Sequence, residues 1–182
     1  MMTARPQKIV IVGIGNILCG DEGVGVHVIE ELKKHQLPDN VKVYDCGTAG
    51  LEVLELLDEA DKAIIVDAVT AGMEPGKICH YKLSEINVEE RKMTMLSLHE
   101  LDLARAIKIG ENAYKLPENI IIVGVEPKSL QFGMGLTKEI KEAIPRVVQD
   151  ILKLVASDLM RRHYNFRSTR FNSAQSCSQL RV

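Results

Sequence analysis

Three short stretches of the chain are almost wholly apolar and β-branched: Lys8 to Gly13 (KIVIVG), Ala63 to Ala68 (AIIVDA) and Asn119 to Val125 (NIIIVGV). Runs of this length, closed by a glycine or an acid, predict strands buried on both faces. Val41 to Asp45 (VKVYD) reads as a further strand. Lys77 to Leu83 (KICHYKL) mixes apolar and polar positions, as an edge strand with one wet face does. Between these runs the period changes to that of a helix. From about Glu22, the residues Val24, Val28, Ile29 and Leu32 share one side, with Glu30, Glu31, Lys33 and Lys34 on the other. Leu51, Leu54 and Leu57 mark a second helix. Ser97 and Glu100 form a capping-box pattern that opens a third, running to about Ile109. A last helix starts near Thr137 and extends to about Leu159, with Pro145 either kinking or breaking it.

Alternating strands and helices with apolar central strands predict an α/β protein. The expected architecture is a three-layer α/β/α sandwich around a mostly parallel, five-stranded twisted sheet with one antiparallel edge strand. Residues 1–159 form one domain in this reading, and 160–182, polar and without periodicity, form a mobile C-terminal tail.

Composition narrows the function classes. The chain has 182 residues, is 46% hydrophobic and 26% charged, and carries a net charge of −2. That balance offers no global field for nucleic acid or an acidic membrane. Cys19, Cys46, Cys79 and Cys177 form neither a CxxC pair nor a disulfide framework, which fits reduced thiols. The polar start, MMTARPQ, leads into a run too short for a signal segment or a span. The expectation is a cytoplasmic protein without membrane insertion.

In an open α/β sheet, ligands collect beyond the carboxyl ends of the strands. The loop after the first strand supplies Asn16, Asp21 and Glu22 there, the second strand ends in Asp45, and the third carries Asp67 near its end. Gly13-Ile-Gly15 followed by a helix raises a dinucleotide site, with Asp45 as the ribose acid. Against it, Leu18 stands at the third glycine position, and Asp21 and Glu22 bring negative charge where a pyrophosphate would need helix amides. A cation meets no such conflict. His99, at the start of the capped helix, can keep a neutral nitrogen for coordination. Glu22, Asp67 and His99 would then make an open site for a borderline divalent ion such as nickel, zinc or manganese. The plainer readings are a capping or surface histidine and an aspartate that fixes a turn. No nucleophile elbow, phosphate loop or complete HExxH motif is present, and no sequence neighbour activates Cys19 or Cys46.

Five segments, taken together, carry a more specific signal. GIGNILCGDEGVGVHVIEEL, DCGTAGLEVLELL, AIIVDAV with PGKI beyond it, SLHELDL and IIVGVEPKSLQFGMGLTKEI resemble, in order and spacing, the [NiFe]-hydrogenase maturation proteases over about residues 8 to 155. The resemblance implies an endopeptidase that removes the C-terminal extension of the hydrogenase large-subunit precursor after nickel insertion. It implies that Glu22, Asp67 and His99 contact nickel brought by the substrate, and that the turn around Asp45, Gly47 and Thr48 assists recognition or cleavage. Cys46 stands in that turn where relatives commonly have glycine or alanine. For the bond-breaking step, two routes stay open: the metal polarises the carbonyl or binds the attacking water, or Asp45 or Asp67 serves as an aspartyl general base. A nickel-binding chaperone without hydrolytic activity and a dinucleotide-binding enzyme are the alternatives.

Overall fold

A computed structural model describes residues 5–48, 52–85 and 98–174, with side chains described except at 85, 98–102, 104 and 158–174. The elements run β1 (Ile9–Gly13), α1 (Val24–Leu32), β2 (Val41–Asp45), α2 (Glu52–Leu57), β3 (Lys62–Ala68), β4 (Ile78–Lys82), α3 (Leu98–Gly110), β5 (Ile120–Val125) and α4 (Lys138–Ala174). Short 3₁₀ turns occupy Gly20–Gly23 and Leu83–Glu85. The five strands make one sheet in the order β2-β1-β3-β5-β4. β1, β2, β3 and β5 are parallel, and β4 alone runs antiparallel, on the edge beside β5. The sheet expected from the apolar runs is therefore present with its antiparallel edge.

Strand pleating sorts the apolar residues onto two faces. Val10 and Val12 of β1, Ala63 and Ile65 of β3, and Ile120 and Ile122 of β5 join Val53, Leu54 and Leu57 of α2 and Leu103 and Ile107 of α3 in one core cluster. Ile9, Ile11 and Gly13 lie on the opposite pleat, where α1 packs: a Cβ on Gly13 would stand 2.4 Å from Ile29 Cγ1. Gly25 permits this approach, because a Cβ there would sit 2.2 Å from the Ile14 carbonyl oxygen and 2.4 Å from that of Val66. The sheet thus has helices on both sides, as three layers require.

The chain separates into two compact units, Met1–Val148 and Gln149–Val182. The first holds the sheet, α1 to α3 and the beginning of α4, where Ile140, Ala143, Val147 and Val148 are buried. The described part of the second is the remainder of α4, residues 149–174.

Three boundaries depart from the periodicity. α1 begins at Val24 rather than near Glu22, because Gly20 to Gly23 close a tighter turn ahead of it and Gly23 takes the N-cap. α4 passes through Pro145 without a break and continues beyond Leu159 to Ala174. One proline removes one backbone donor while the neighbouring turns keep theirs. Past Leu159 the helix has no apolar stripe for a periodicity argument to detect, so the tail expected from 160 is helical as far as 174. The capping box falls partly on Ser97, outside the described residues. No helix among the described residues is long and apolar enough to cross a membrane.

Candidate active site

Sheet register determines which side chains can meet. Gly13 is level with Asp45 of β2 and with Val66 of β3, and Asp67 is level with Gly124 of β5. Both acids stand in the row of strand ends at the carboxyl edge, two strand spacings or about 10 Å apart, but Asp45 is level with Val66 and so lies on the α1 pleat, opposite to that of Asp67. The β1 backbone continues over this row: the Ile14 amide donates to the Val66 carbonyl at 2.9 Å, and the Gly15 amide to that of Gly47 at 2.8 Å. Gly15, at φ +145°, has the Glu22 carbonyl oxygen where a side chain would go, 1.9 Å from an ideal Cβ. The loop can double back on itself only with glycine there.

The two neighbouring acids of this loop have different fates. Asp21 is completely buried. Its Oδ2 accepts the amides of Lys128 at 2.9 Å and Ser129 at 3.0 Å and the Thr137 hydroxyl at 2.9 Å, while Oδ1 accepts the Thr137 amide at 2.7 Å. A carboxylate so engaged is a tie between the loop after β1 and the segment joining β5 to α4. The convergence expected of Asp21 with the other acids is thus replaced by a structural role, because four donors claim its oxygens. Glu22, one residue on, is partly exposed in the 3₁₀ turn, which packs against β3.

Asp67 is buried at the end of β3, with Oδ1 accepting the Ala68 amide at 2.8 Å. It shares the pleat of Ala63 and Ile65, the face covered by α2 and α3. The far end of α3 is tied to the opposite edge of the sheet. Just beyond Gly110, the Lys115 amide donates to Asp58 Oδ1 at 2.8 Å, and the Asn119 carbonyl accepts the amide of Ala63 at the start of β3. A 13-residue helix spans about 20 Å, the height of the sheet. Leu103 and Ile107 pack α3 on Asp67's side of the sheet, and its first turn holds His99. His99 precedes the core positions Leu103 and Ile107 by one and two turns; its side chain lies outside the described residues.

Asp45 is exposed, and its Oδ1 accepts the Gly47 amide at 2.9 Å, closing an Asx turn. The turn is anchored to β1 through the Cys46 amide, which donates to the Gly13 carbonyl at 3.0 Å. Among the described residues no group of three or more His, Cys, Asp and Glu side chains is arranged to hold a metal ion. Glu22 and Asp67 supply two carboxylates at the edge, and Asp45 stands apart from them across β1.

Cys19 and Cys46 behave as inert thiols. Cys46 packs against the core cluster, and burial, followed by the charges of Asp45 and Glu52, pushes its thiol up to about 11. Cys19 is also raised, by desolvation first and then by donation to the Glu22 carboxylate. Neither is primed as a nucleophile at neutral pH.

Two features had no expectation attached to them. One is the Asp21 tie. The other is an apolar rim: Ile17 and Leu18 before the 3₁₀ turn, and Leu130, Phe132 and Met134 after β5, are exposed. Glycines flanking Phe132 and Met134 were the available signal, since apolar residues outside any periodic run have no core to enter.

Residues 26–154 match the family model described as hydrogenase maturation protease. The chain is 34% identical over 146 residues to the hydrogenase expression/formation protein HupD of Bradyrhizobium diazoefficiens, covering 78% of this chain and 74% of that one. It is 33% identical over 148 residues to the hydrogenase 2 maturation protease of Escherichia coli, covering 80% and 89%. Among solved structures, the hydrogenase maturating endopeptidase HybD from E. coli superimposes with a TM-score of 0.74 at 31% identity, over 84% of this chain and 94% of that one.

Proposed function

The chain belongs to the hydrogenase maturation protease family and is a peptide hydrolase, and from that premise we propose that it removes the C-terminal extension of a nickel-loaded [NiFe]-hydrogenase large-subunit precursor in the cytoplasm. Nickel arrives as part of the substrate, held on the precursor's thiolates. Glu22, Asp67 and His99 complete its coordination while the cleavage junction lies across the carboxyl edge. Recognition then depends on insertion, because a metal-free precursor lacks the contact that holds it.

The observation supporting this reading is that the 3₁₀ turn of Glu22 packs on β3, that Asp67 lies near the end of β3, and that α3, the helix of His99, packs through Leu103 and Ile107 on Asp67's face of the sheet. Two oxygen donors and an imidazole suit a borderline ion such as nickel. For the chemistry, a carboxylate takes a proton from water as the oxygen attacks the scissile carbonyl, then returns it to the departing amine. In this reading either Asp45, which is open to solvent, or Asp67, itself one of the nickel contacts, serves as that base. The raised thiols favour water over a cysteine nucleophile.

Purified protein is incubated with nickel-loaded precursor, and the product is weighed by mass spectrometry. Wild type yields a shortened large subunit, while Glu22→Ala, Asp67→Ala and His99→Ala each leave it uncut with an unchanged circular dichroism spectrum. Normal cutting by two of the three variants refutes the ligand set. Retention of the precursor by wild type without a shortened product identifies a non-hydrolytic escort instead. Equal trimming of precursor never exposed to nickel removes the metal from the recognition step.

A further inference from the structure

Of the six large apolar side chains exposed among the described residues, five stand on two loops at one end of the sheet: Ile17, Leu18, Leu130, Phe132 and Met134. Phe132 and Met134 are 86% and 82% exposed. A concentration of this kind is unusual on a surface that meets only water.

The backbones of the two loops are bonded to each other. The Gly133 amide donates to the Leu18 carbonyl at 2.8 Å, and the Gly20 amide donates to the Gly133 carbonyl at 2.9 Å, making a one-residue parallel bridge between Cys19 and Gly133. The Asp21 amide bonds the Ser129 carbonyl at 3.0 Å, and the Asp21 carboxylate takes the Lys128, Ser129 and Thr137 amides. Flexible loops would lose rotamer and backbone freedom on meeting a partner; loops already bonded together have lost much of it beforehand.

The rim is continuous with the candidate active site. Leu18 is four residues before Glu22, and the Cys19 thiol between them donates to the Glu22 carboxylate. The rim and Glu22 are thus parts of one loop system at the carboxyl edge. A protein client must be held by more than its metal, since a few coordinating groups define a point and not an orientation.

We infer that Ile17, Leu18, Leu130, Phe132 and Met134 form the docking surface for an apolar segment of the large-subunit precursor adjoining the cleavage junction. The inference rests on the proteolytic reading given above. Phe132 and Met134 are the anchors: they are the most exposed of the five and flank the bridged Gly133.

The test measures association of the nickel-loaded precursor with the immobilised full chain, alongside the rate of trimming. Phe132→Asp/Met134→Asp is expected to weaken association about tenfold or more, raising KM while kcat changes little. Ile109→Asp, at the sixth exposed apolar position, on α3, is expected to bind and cut as wild type does. Phe132→Ser/Met134→Gln, a milder pair, reports the same loss if the charged pair fails to fold, as judged by circular dichroism. Unaltered association in a folded double variant overturns the docking surface and leaves the protease reading intact. Failure of wild type to associate with the precursor also overturns it, whereas association without trimming sustains the surface and sinks the protease reading. A wild-type dimer that the double variant disperses, with precursor binding unaffected, assigns the rim to a second copy and overturns the proposal.

Discussion

The two ends of the sheet satisfy their acids with different sets of partners. At the amino edge, Asp61 accepts the Lys8 amide at 2.7 Å and the Arg5 guanidinium at 3.0 Å, Asp58 accepts the Lys115 amide at 2.8 Å, and Glu59 faces Lys115 at 3.9 Å. Cationic side chains share in the neutralisation, and a cavity of about 310 Å³ there is lined by Arg5, Glu59, Ala60, Lys115 and Leu116. At the carboxyl edge, the buried Asp21 and Glu126 take backbone amides: Lys128, Ser129 and Thr137 for Asp21, Ala71 and Met73 for Glu126. Using amides to satisfy two acids holds the surrounding loops still without placing a guanidinium or ammonium on those carboxylates. A rigid frame of this kind suits an edge that must present its loops to a client in one arrangement.

The largest break in this comparison comes from Asp21→Ala. It strands three backbone amides and a hydroxyl in a fully buried place, and the expected loss is about 4 kcal/mol of stability. For a domain with about 5–15 kcal/mol in hand, that leaves little reserve. Denaturant unfolding measures the loss, and faster amide exchange at Lys128, Ser129 and Thr137 would trace it to the tie. Trimming should fall with it, because the apolar rim and Glu22 depend on the same loops.

The contrast between Asp21 and its neighbour also shows what could be read from the chain alone. The buried strands were legible because KIVIVG, AIIVDA and NIIIVGV leave no polar face to hydrate, and KICHYKL identified the wet edge. The carboxyl-edge row followed from strand order, since parallel strands must end together. Which of two adjacent acids turns inward was not legible. The donors that capture Asp21 come from residues 107 to 116 positions away, and nothing local distinguishes it from Glu22. The extension of α4 past Leu159 was hidden for the converse reason, a helix without an apolar stripe.

Asp61→Ala sharpens the comparison at a smaller magnitude. The side chain is 28% exposed, so water can replace the acceptor for the Lys8 amide and for Arg5. The expected cost is about 1 kcal/mol, with trimming unchanged. Equal losses from Asp21→Ala and Asp61→Ala would mean that the two edges do not differ in kind.

The smallest effect at neutral pH concerns Cys46, whose thiol responds to burial and to the charges of Asp45 and Glu52. Burial is the main cause of its rise from 9.0 to about 11, with Asp45 and Glu52 adding to it. Only the thiolate is alkylated, so raising the pKa by about two units cuts its population about a hundredfold at pH 8, while the stronger nucleophilicity of a more basic thiolate restores part of that. Iodoacetamide should label Cys46 in the folded chain about tenfold more slowly than in denatured protein, followed by peptide mass, with labelling accelerating towards pH 11. The linkage has the matching sign: the folded state favours the protonated thiol, so its contribution to stability is complete below about pH 9 and is lost as pH rises through about 11. Asp45→Asn should quicken labelling modestly, since its charge is the lesser cause. No change on removing Asp45 would show that its charge does not reach the thiol.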